Sequence, residues 1–347
     1  MPCGSFTHCG GSRNVRTIDS PLLEHHFERY PLTLVDVGAR GGLQPNWAPL
    51  RKRLRLIGFE PDEAEYARLS GAPQPFPALY INAAAYSGPG ELALNVARSP
   101  GVSSIFEPNL AFLRNFPESE RFETVARTTV PADALDRVLP KHGVADVDFI
   151  KIDTQGAETP ILDGAREVLR RSVIGVEIEV NYAPLYIGQS VFGDVDDRLR
   201  NAGFHLFDLR PCYWKRSAGV RLGGPKGQLV FADALYLKTP GAVGELLREI
   251  DAHEERQAKL VRALTVCLLY GYADLALDLF HAHRGLLDAQ EDRTVHELLT
   301  SGTHVSYRIP QFRGRGWLSN LLLRLSLALR PSVGGWGTGA RHLGNID

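Results

Sequence analysis

Short apolar runs alternate with amphipathic stretches between residues 32 and 237 of the chain. The runs are rich in β-branched residues and end at glycine, proline or polar residues, which is typical of buried strands. The predicted strands are Leu32–Val37, Arg55–Glu60, Leu79–Ala85, Glu91–Val96, Val147–Asp153, Val173–Val180, Phe204–Leu209 and Leu229–Leu237. The predicted helices between them include a stretch that ends at Leu69, Ala157–Leu169 and Phe192–Arg200. Because strands that alternate with helices need crossover connections, the pattern predicts a doubly wound, mostly parallel α/β sheet.

The pattern becomes purely helical after Gly241. Apolar residues at helical spacing predict one helix over Glu245–Leu269, and Ala273–Phe280 begins a second. Gly271 lies between the two, so we predict a C-terminal helical annex in the form of a hairpin. A packing role is favoured for this annex, while a peptide-binding groove of the tetratricopeptide kind stays open.

Neither end of the chain shows the pattern of the sheet. Residues 1–30 are predicted to be an N-terminal arm rich in Gly, Ser and His. The C-terminal tail contains an apolar stretch, Trp317–Leu325, with arginine and glycine around it. Docking on a neighbouring domain or subunit is favoured for this stretch, and contact with a membrane surface is the alternative. The predicted divisions are the arm (1–30), a sheet domain (31–240), the annex (241–308) and the tail (309–347).

The composition is that of an ordinary globular protein: 44% of the 347 residues are hydrophobic and 23% are charged, and the formal charge is −1. This balance argues against a broad basic surface, so nucleic acid is not an expected partner. The four cysteines are scattered, which fits a reducing compartment better than a disulfide framework. Because the sequence has no secretory signal and no apolar run of about 18 residues, we expect a cytoplasmic protein. The cluster Cys3, His8 and Cys9 offers only three donors, so no metal site is predicted.

A glycine-rich turn, Gly38–Gly42, follows the first predicted strand and is the first candidate for chemistry. In a doubly wound sheet this turn lies at the carboxyl edge, where ligands bind, and glycine lets the backbone approach them closely. The spacing Asp36-x-Gly38-x-x-Gly41 differs from the dinucleotide fingerprint G-x-G-x-x-G. A purely structural role of this turn, without ligand binding, remains an alternative.

Glu60 ends the second predicted strand, about 22 residues after Gly38. An acidic side chain at this place can accept hydrogen bonds from both ribose hydroxyls of an adenosine ligand. Its alternative role is that of a helix-start carboxylate, since Pro61 and Asp62 follow. Together with the glycine turn, Glu60 favours a cofactor that contains adenosine.

Three segments resemble the FkbM family of S-adenosylmethionine-dependent methyltransferases: Val35–Gly42, Gly58–Asp62 and Ile150–Glu158. The third is similar to the family signature K-x-D-x-E-G-x-E, with Gln155 where glutamate is commoner. The resemblance implies a class I fold with seven strands, the last antiparallel, and S-adenosyl-L-methionine as cofactor. It also implies methyl transfer to oxygen, on a hydroxyl of a sugar, glycolipid or secondary metabolite.

The resemblance also assigns roles by position. It places Asp36, Gly38 and Gly41 at the methionine end of the cofactor, Glu60 at the ribose, and Asn82 and Ala83 near the adenine. Asp153 follows the fourth strand of the class I fold and is the first candidate for positioning the acceptor or for the base that accepts the hydroxyl proton. Glu158 and Glu179 are further candidates. Glu158 also suits the first turn of a helix, and Glu179 also suits a solvent-facing strand end.

Two other classes of function are weighed against a methyltransferase. A nicotinamide-dependent dehydrogenase is disfavoured by the glycine spacing. A non-catalytic interaction protein on a degenerate methyltransferase fold is permitted by Gln155 and the added helices. The expected partner is a small-molecule or glycan acceptor, and its identity and the oligomeric state stay open.

Overall fold

The structure is a computed structural model and describes residues 20–220, 226–300, 312–329, 336–339 and 343. The predicted arm up to residue 19, with Cys3, His8 and Cys9, lies outside the described residues. The helices are α1 (Pro21–Arg29), α2 (Glu63–Gly71), α3 (Leu110–Leu113), α4 (Leu135–Lys141), α5 (Glu158–Asp163), α6 (Arg166–Arg171), α7 (Phe192–Asn201), α8 (Pro240–Arg248), α9 (His253–Leu269), α10 (Ala273–His283), α11 (Ala289–Thr300) and α12 (Arg315–Leu329). Short 3-10 helices cover Pro45–Arg53, Pro100–Val102, Ser119–Phe122, Ser217–Gly219 and Arg284–Leu286. The strands are β1 (Leu32–Val37), β2 (Leu54–Phe59), β3 (Ala78–Ile81), β4 (Ala84–Ala85), β5 (Gly90–Ala97), β6 (Thr124–Asp133), β7 (Phe149–Ile152), β8 (Gly175–Asn181), β9 (Phe204–Trp214), β10 (Gln228–Lys238) and β11 (Gly337–Gly339).

The main sheet has the strand order β11-β9-β10-β8-β7-β1-β2-β3. Strands β8, β7, β1, β2 and β3 are parallel to one another, whereas β10 runs antiparallel to both β8 and β9. This arrangement confirms the predicted α/β class, with seven mostly parallel strands of which the last in sequence is antiparallel. The short β11 adds an eighth strand at the edge.

The central strands are buried because helices cover both faces of the sheet. Every residue of β1 and of β8 is buried, as expected for parallel strands in the middle of a doubly wound sheet. One apolar cluster includes Leu34 of β1 together with the annex helices, and a second includes Val35 together with α4–α7. Neighbouring residues of β1 thus pack into apolar cores on opposite faces of the sheet, because side chains alternate along a strand.

A second sheet of three strands, β4-β6-β5, was not predicted. The predicted strand Leu79–Ala85 is in fact two strands, because the chain turns at Asn82 and Ala83 and only β3 joins the main sheet. Strand β4 pairs with β6, which in turn pairs with β5. This small sheet extends from the carboxyl edge of the main sheet and forms one wall of the site described below.

The predicted helix Ala157–Leu169 is also interrupted, and forms α5 and α6 instead. The break lies at Gly164, where a Cβ would come within 2.0 Å of the backbone oxygen of Tyr86. The Gly164 carbonyl accepts a hydrogen bond from the N–H of Asp136 at 3.0 Å rather than continuing the helix. Close packing of this segment on its neighbours therefore overrides the apolar spacing.

The described part of the annex, up to residue 300, contains four helices, α8 to α11, rather than the predicted two. The single predicted helix Glu245–Leu269 is wrong, because α8 ends at Arg248 and α9 starts at His253. Helix α9 is buried from Ala258 to Leu269 and packs against α1, whose Leu23 and Phe27 are buried. Residues 21–29, predicted to be part of the N-terminal arm, thus form a packed helix.

Buried charges connect the annex to the amino edge of the main sheet. Lys259 and Arg262 of α9 both bind Asp148, which directly precedes β7, at 2.7 and 2.9 Å. All three side chains are at most 1% exposed. Of the helices in the described ranges, none combines the length and the apolar character needed to cross a bilayer.

Candidate functional site

A cavity of about 290 Å³ lies at the carboxyl edge of the parallel strands. It is bounded by the turns that follow β1, β2 and β7 and by the second sheet. Five of the predicted site residues line it: Asp36, Gly38, Glu60, Ala83 and Asp153. Four do not line it: Gly41, Asn82, Glu158 and Glu179.

Gly38 is required where β1 ends because its backbone has φ +82° and lies directly against the turn after β7. A Cβ at this position would be 2.1 Å from the backbone oxygen of Asp153. Gly41 has a similar φ of +86°, yet no atom lies within 4 Å of its ideal Cβ. Its N–H donates to the carboxylate of Glu65 at 2.8 Å. Gly38 therefore permits a close approach, while Gly41 shapes the turn.

Asp36 is buried and forms an ion pair with Lys151 of β7, with 3.2 Å between Oδ1 and Nζ. Burial alone would lower the pKa of Lys151, but the carboxylates of Asp36, Asp153 and Glu177 together raise it above its ordinary value. Lys151 thus stays charged and holds Asp36 at the wall of the cavity. The pair joins two neighbouring strands of the sheet at the site.

Glu60 lines the cavity with a carboxyl group that is 4% exposed. One of its oxygens accepts a hydrogen bond from the N–H of Asp62 at 2.9 Å. Asp62, not Glu60, caps α2 by accepting from the N–H of Glu65. The alternative role of Glu60 as a helix-start carboxylate is therefore taken by its neighbour. Burial raises the pKa of Glu60, and the hydrogen bond from Asp62 and the charge of Arg40 oppose this shift.

Asn82 and Ala83 form the turn after β3. The Asn82 side chain donates to the backbone oxygens of Glu60 and Pro61, at 3.0 and 3.3 Å. It therefore fixes the loop that carries Glu60 but does not line the cavity itself. Ala83 does line it, and its small side chain leaves an apolar surface beside Glu60.

Asp153 follows β7 and is the most exposed of the candidate acids, at 39%. The amide of Gln155 donates to its Oδ1 at 2.9 Å, and Nζ of Lys151 lies 3.9 Å from its Oδ2. The same Gln155 amide lies 3.3 and 3.4 Å from the two carboxyl oxygens of Glu179. Gln155, which departs from the family signature, thus bridges two carboxylates. A glutamate here would add a third negative charge to the group.

Glu158 and Glu179 are buried beside Asp153 without reaching the cavity. Glu158 lies in the first turn of α5 and accepts from the backbone N–H groups of Thr154 and Gly156, at 3.3 and 3.1 Å. Burial raises its pKa to about 7, although hydrogen bonds from the backbone oppose this shift. The pKa of Glu179 is raised well above its usual range. Burial is the largest cause, and the nearby negative charges of Asp153 and Glu158 add to it. These two acids shape and support the turn that carries Asp153.

Several residues of the cavity were not among the predicted site residues. The turn at Gln155 has an unusual φ of +58° and lies against Ser104, whose hydroxyl donates to the Gln155 backbone oxygen at 2.7 Å. The opposite wall comes from β5 and the loop after it: Leu92, Leu94, Pro100, Gly101, Ser103, Ser104 and Ile105. The predicted strand Glu91–Val96, which contains Leu92 and Leu94, is a sequence signal that points to this wall.

The fold and the cavity together define a class of protein. An acid after the second strand, a glycine turn after the first and a ligand cavity at the carboxyl edge are typical of α/β domains that bind a nucleotide cofactor. Residues 36–206 match the family model described as "Methyltransferase FkbM domain". The chain thus contains an FkbM methyltransferase domain. This match confirms the predicted family and, with it, S-adenosylmethionine as the cofactor.

Solved structures were also compared with the chain. The methyltransferase FkbM of Methylobacillus flagellatus KT is 14% identical with a TM-score of 0.34; the match covers 60% of this chain and 43% of that one. Magnesium protoporphyrin IX methyltransferase of Synechocystis PCC 6803 with bound SAM is 9% identical, at coverages of 63% and 76% and a TM-score of 0.30. A TehB-like SAM-dependent methyltransferase of Corynebacterium glutamicum is 11% identical, at coverages of 64% and 89% and a TM-score of 0.28. The chain thus spans less than half the length of the first of these proteins. A comparison with curated proteins gave no significant match.

Proposed function

We propose that the chain is an S-adenosylmethionine-dependent O-methyltransferase that uses the carboxyl-edge cavity. The observation that carries this proposal is that Asp36, Glu60 and Asp153, from the ends of three parallel strands, line one cavity. The predicted acceptor is a hydroxyl group on a sugar, glycolipid or secondary metabolite. The family match supports methyl transfer, and the position of Asp153 supports oxygen as the acceptor atom.

The cavity suits an adenosine cofactor with a charged tail. Its acidic groups lie at Asp36, Glu60 and Asp153, whereas Ala83 and Ile105 supply apolar walls. In the proposed arrangement Glu60 accepts hydrogen bonds from the ribose, the apolar walls contact the adenine, and the turn at Gly38 adjoins the methionine portion. When bound, the cofactor supplies an electrophilic methyl group on a sulfonium ion.

Replacement of Glu60 tests the cofactor site. Glu60→Gln keeps an acceptor for the N–H of Asp62 but loses the charge, so we expect S-adenosylhomocysteine to bind about 10- to 100-fold more weakly in calorimetry. Glu63→Gln is the matched control, because Glu63 is exposed and does not line the cavity. Equal affinity in wild type and Glu60→Gln would remove Glu60 from the site.

A thermal-shift comparison separates the proposed function from the other two classes. Stabilisation of the wild type by S-adenosylhomocysteine supports the methyltransferase. Stabilisation by NAD alone would indicate a dehydrogenase, and the absence of any shift would indicate an interaction protein.

Asp153 is the proposed base. It is the candidate acid that both lines the cavity and is substantially exposed, so an acceptor hydroxyl can reach it. The Gln155 amide holds one carboxyl oxygen, which orients the other for the acceptor. Asp153 would accept the proton of the acceptor hydroxyl as its oxygen takes the methyl group that a bound cofactor would supply, and the electrons of the broken sulfur–methyl bond would stay with the sulfur.

Asp153→Asn is expected to lower turnover about 10²- to 10⁴-fold while the affinity for S-adenosylhomocysteine changes little. The asparagine still accepts the hydrogen bond from Gln155 but cannot take a proton. Turnover is measured with isotope-labelled S-adenosylmethionine on acceptors found by screening sugars, glycolipids and hydroxylated metabolites. Asp278→Asn, on the exposed face of α10, is the control. Unchanged turnover would exclude Asp153 as the base, whereas a parallel loss of affinity would place it in the cofactor site.

A further inference from the structure

Exposed apolar side chains are concentrated at helix α12. Among the described residues, nine large apolar side chains are exposed, and six of them lie between residues 312 and 325: Phe312, Trp317, Leu318, Leu321, Leu322 and Leu325. Trp317 is 70% exposed and Leu322 is 56% exposed. A cluster of this kind on a protein surface marks an interaction site, whereas single exposed apolar residues need no explanation.

Every described side chain of α12 is exposed, and the large apolar ones among them lie on one side of the helix. Trp317, Leu318, Leu321, Leu322 and Leu325 are spaced so that, at 3.6 residues per turn, they cover an arc of about 140°. Helical periodicity places positions 315 and 324, both arginine, at about 20° beyond the two borders of this arc. An apolar surface next to arginine positions is a feature of helices that lie in the interface of a membrane.

The charge of this part of the chain is strongly one-sided. Residues 298–346 contain no aspartate or glutamate. The same stretch contains six arginines: Arg308, Arg313, Arg315, Arg324, Arg330 and Arg341. This contrasts with the formal charge of −1 for the whole chain. A basic segment beside an apolar face is complementary to a surface that carries anionic lipid headgroups.

From these observations we propose that α12 docks this protein on an anionic phospholipid bilayer. The apolar face enters the boundary between headgroups and acyl chains, with Trp317 at headgroup level, and the arginines bind lipid phosphates. The helix has 15 residues, about 22 Å, so it lies on the bilayer rather than spanning a hydrocarbon core of about 30 Å. A second copy of this chain is a poorer partner, because a symmetric contact of this face would bring like charges together.

After α12 the chain contacts the main sheet again, near the carboxyl edge where the cavity lies. Trp336 packs against Trp214 with 5.1 Å between ring centroids, and β11 pairs with Cys212–Trp214 at the end of β9. Through β10, that end of β9 lies beside the carboxyl end of β8. The seven Cα-to-Cα steps from Leu329 to Trp336 span at most about 25 Å. A docked α12 therefore holds the carboxyl edge near the bilayer, which, if the proposed function is correct, favours a lipid-borne acceptor.

Vesicle flotation of the full chain tests the docking. We expect the wild type to float with vesicles of equimolar phosphatidylserine and phosphatidylcholine and to remain unbound with phosphatidylcholine alone. The double variant Trp317→Glu and Leu322→Glu is expected to lower the bound fraction about tenfold or more, as is Arg313→Glu with Arg315→Glu. All four side chains are exposed, so the fold has no reason to change. Val125→Glu, at a residue 57% exposed on β6, is the matched control and should float like the wild type.

Three results would overturn the proposal. The first is a wild type that does not float with either kind of vesicle, and the second is equal flotation with anionic and neutral vesicles. The third is a dimer that forms without lipid in sedimentation and depends on Trp317, because it would show that the apolar face binds a second copy of the chain. Flotation needs neither cofactor nor acceptor, so its outcome is independent of the proposed enzymatic function. The acceptor class is tested separately, by comparing methyl transfer to lipid-linked and free forms of one sugar.

Discussion

Gly38→Ala is expected to abolish binding of S-adenosylhomocysteine, with a loss of affinity of at least about 100-fold. The added Cβ would lie 2.1 Å from the backbone oxygen of Asp153, whereas a carbon–oxygen contact needs about 3.3 Å or more. The turn after β1 and the turn after β7 must therefore separate by about 1 Å. Because both turns line the cavity, the cofactor and the proposed base lose their alignment together.

Gly41→Ala is the matched control for this prediction. Gly41 has nearly the same positive φ as Gly38, but its added Cβ meets no atom within 4 Å. We expect it to lower the free energy of unfolding by about 1–2 kcal/mol through backbone strain, with affinity close to the wild type. Calorimetry with S-adenosylhomocysteine and urea unfolding of both variants measure the two effects. Equal losses of affinity in the two variants would show that backbone strain causes the loss. Wild-type affinity in both variants would show that this turn is not part of the cofactor site.

The positions of Gly38, Glu60 and Asp153 could be predicted because each follows an apolar run that ends abruptly. Apolar β-branched runs of this kind become parallel strands, and parallel strands bring their carboxyl ends to one edge. Three residues that are far apart in sequence therefore meet in one cavity. The sequence distinguished poorly between residues that line the cavity and residues that support it, such as Gly41 and Asn82.

The second sheet escaped prediction because its pattern is weak. Six of the ten residues of β6 are exposed, and its apolar and polar residues do not alternate, so its sequence does not mark it as a strand. The alternative prediction that Glu179 faces solvent at a strand end is wrong, because β8 lies between β7 and β10 and is buried on both faces. The contacts of Gln155 depend on a left-handed turn at a residue other than glycine, which no local pattern indicates.

The attachment of the annex through buried charges could not be predicted either. Asp148 and its partner Lys259 are separated by 111 residues, and each alone resembles an ordinary surface charge. Burial alone would raise the pKa of Asp148, but the charges of Arg262 and Lys259 hold it below its usual range. The annex is thus bound to the sheet by charged side chains whose burial is favourable only when they are paired with one another.

Asp148→Ala is expected to lower the free energy of unfolding by about 3–5 kcal/mol, because it leaves Lys259 and Arg262 buried without their fully buried partner. It also removes the acceptor for the N–H of Thr33, which binds Asp148 at 2.8 Å. Asp146→Ala is the matched control, since Asp146 binds the same two cations but is 32% exposed, and should cost only about 1 kcal/mol or less. Urea unfolding measures both variants, and affinity for S-adenosylhomocysteine should be unchanged because the cavity lies at the opposite edge of the sheet. Similar small losses for the two variants would show that the annex is held by its apolar contacts alone.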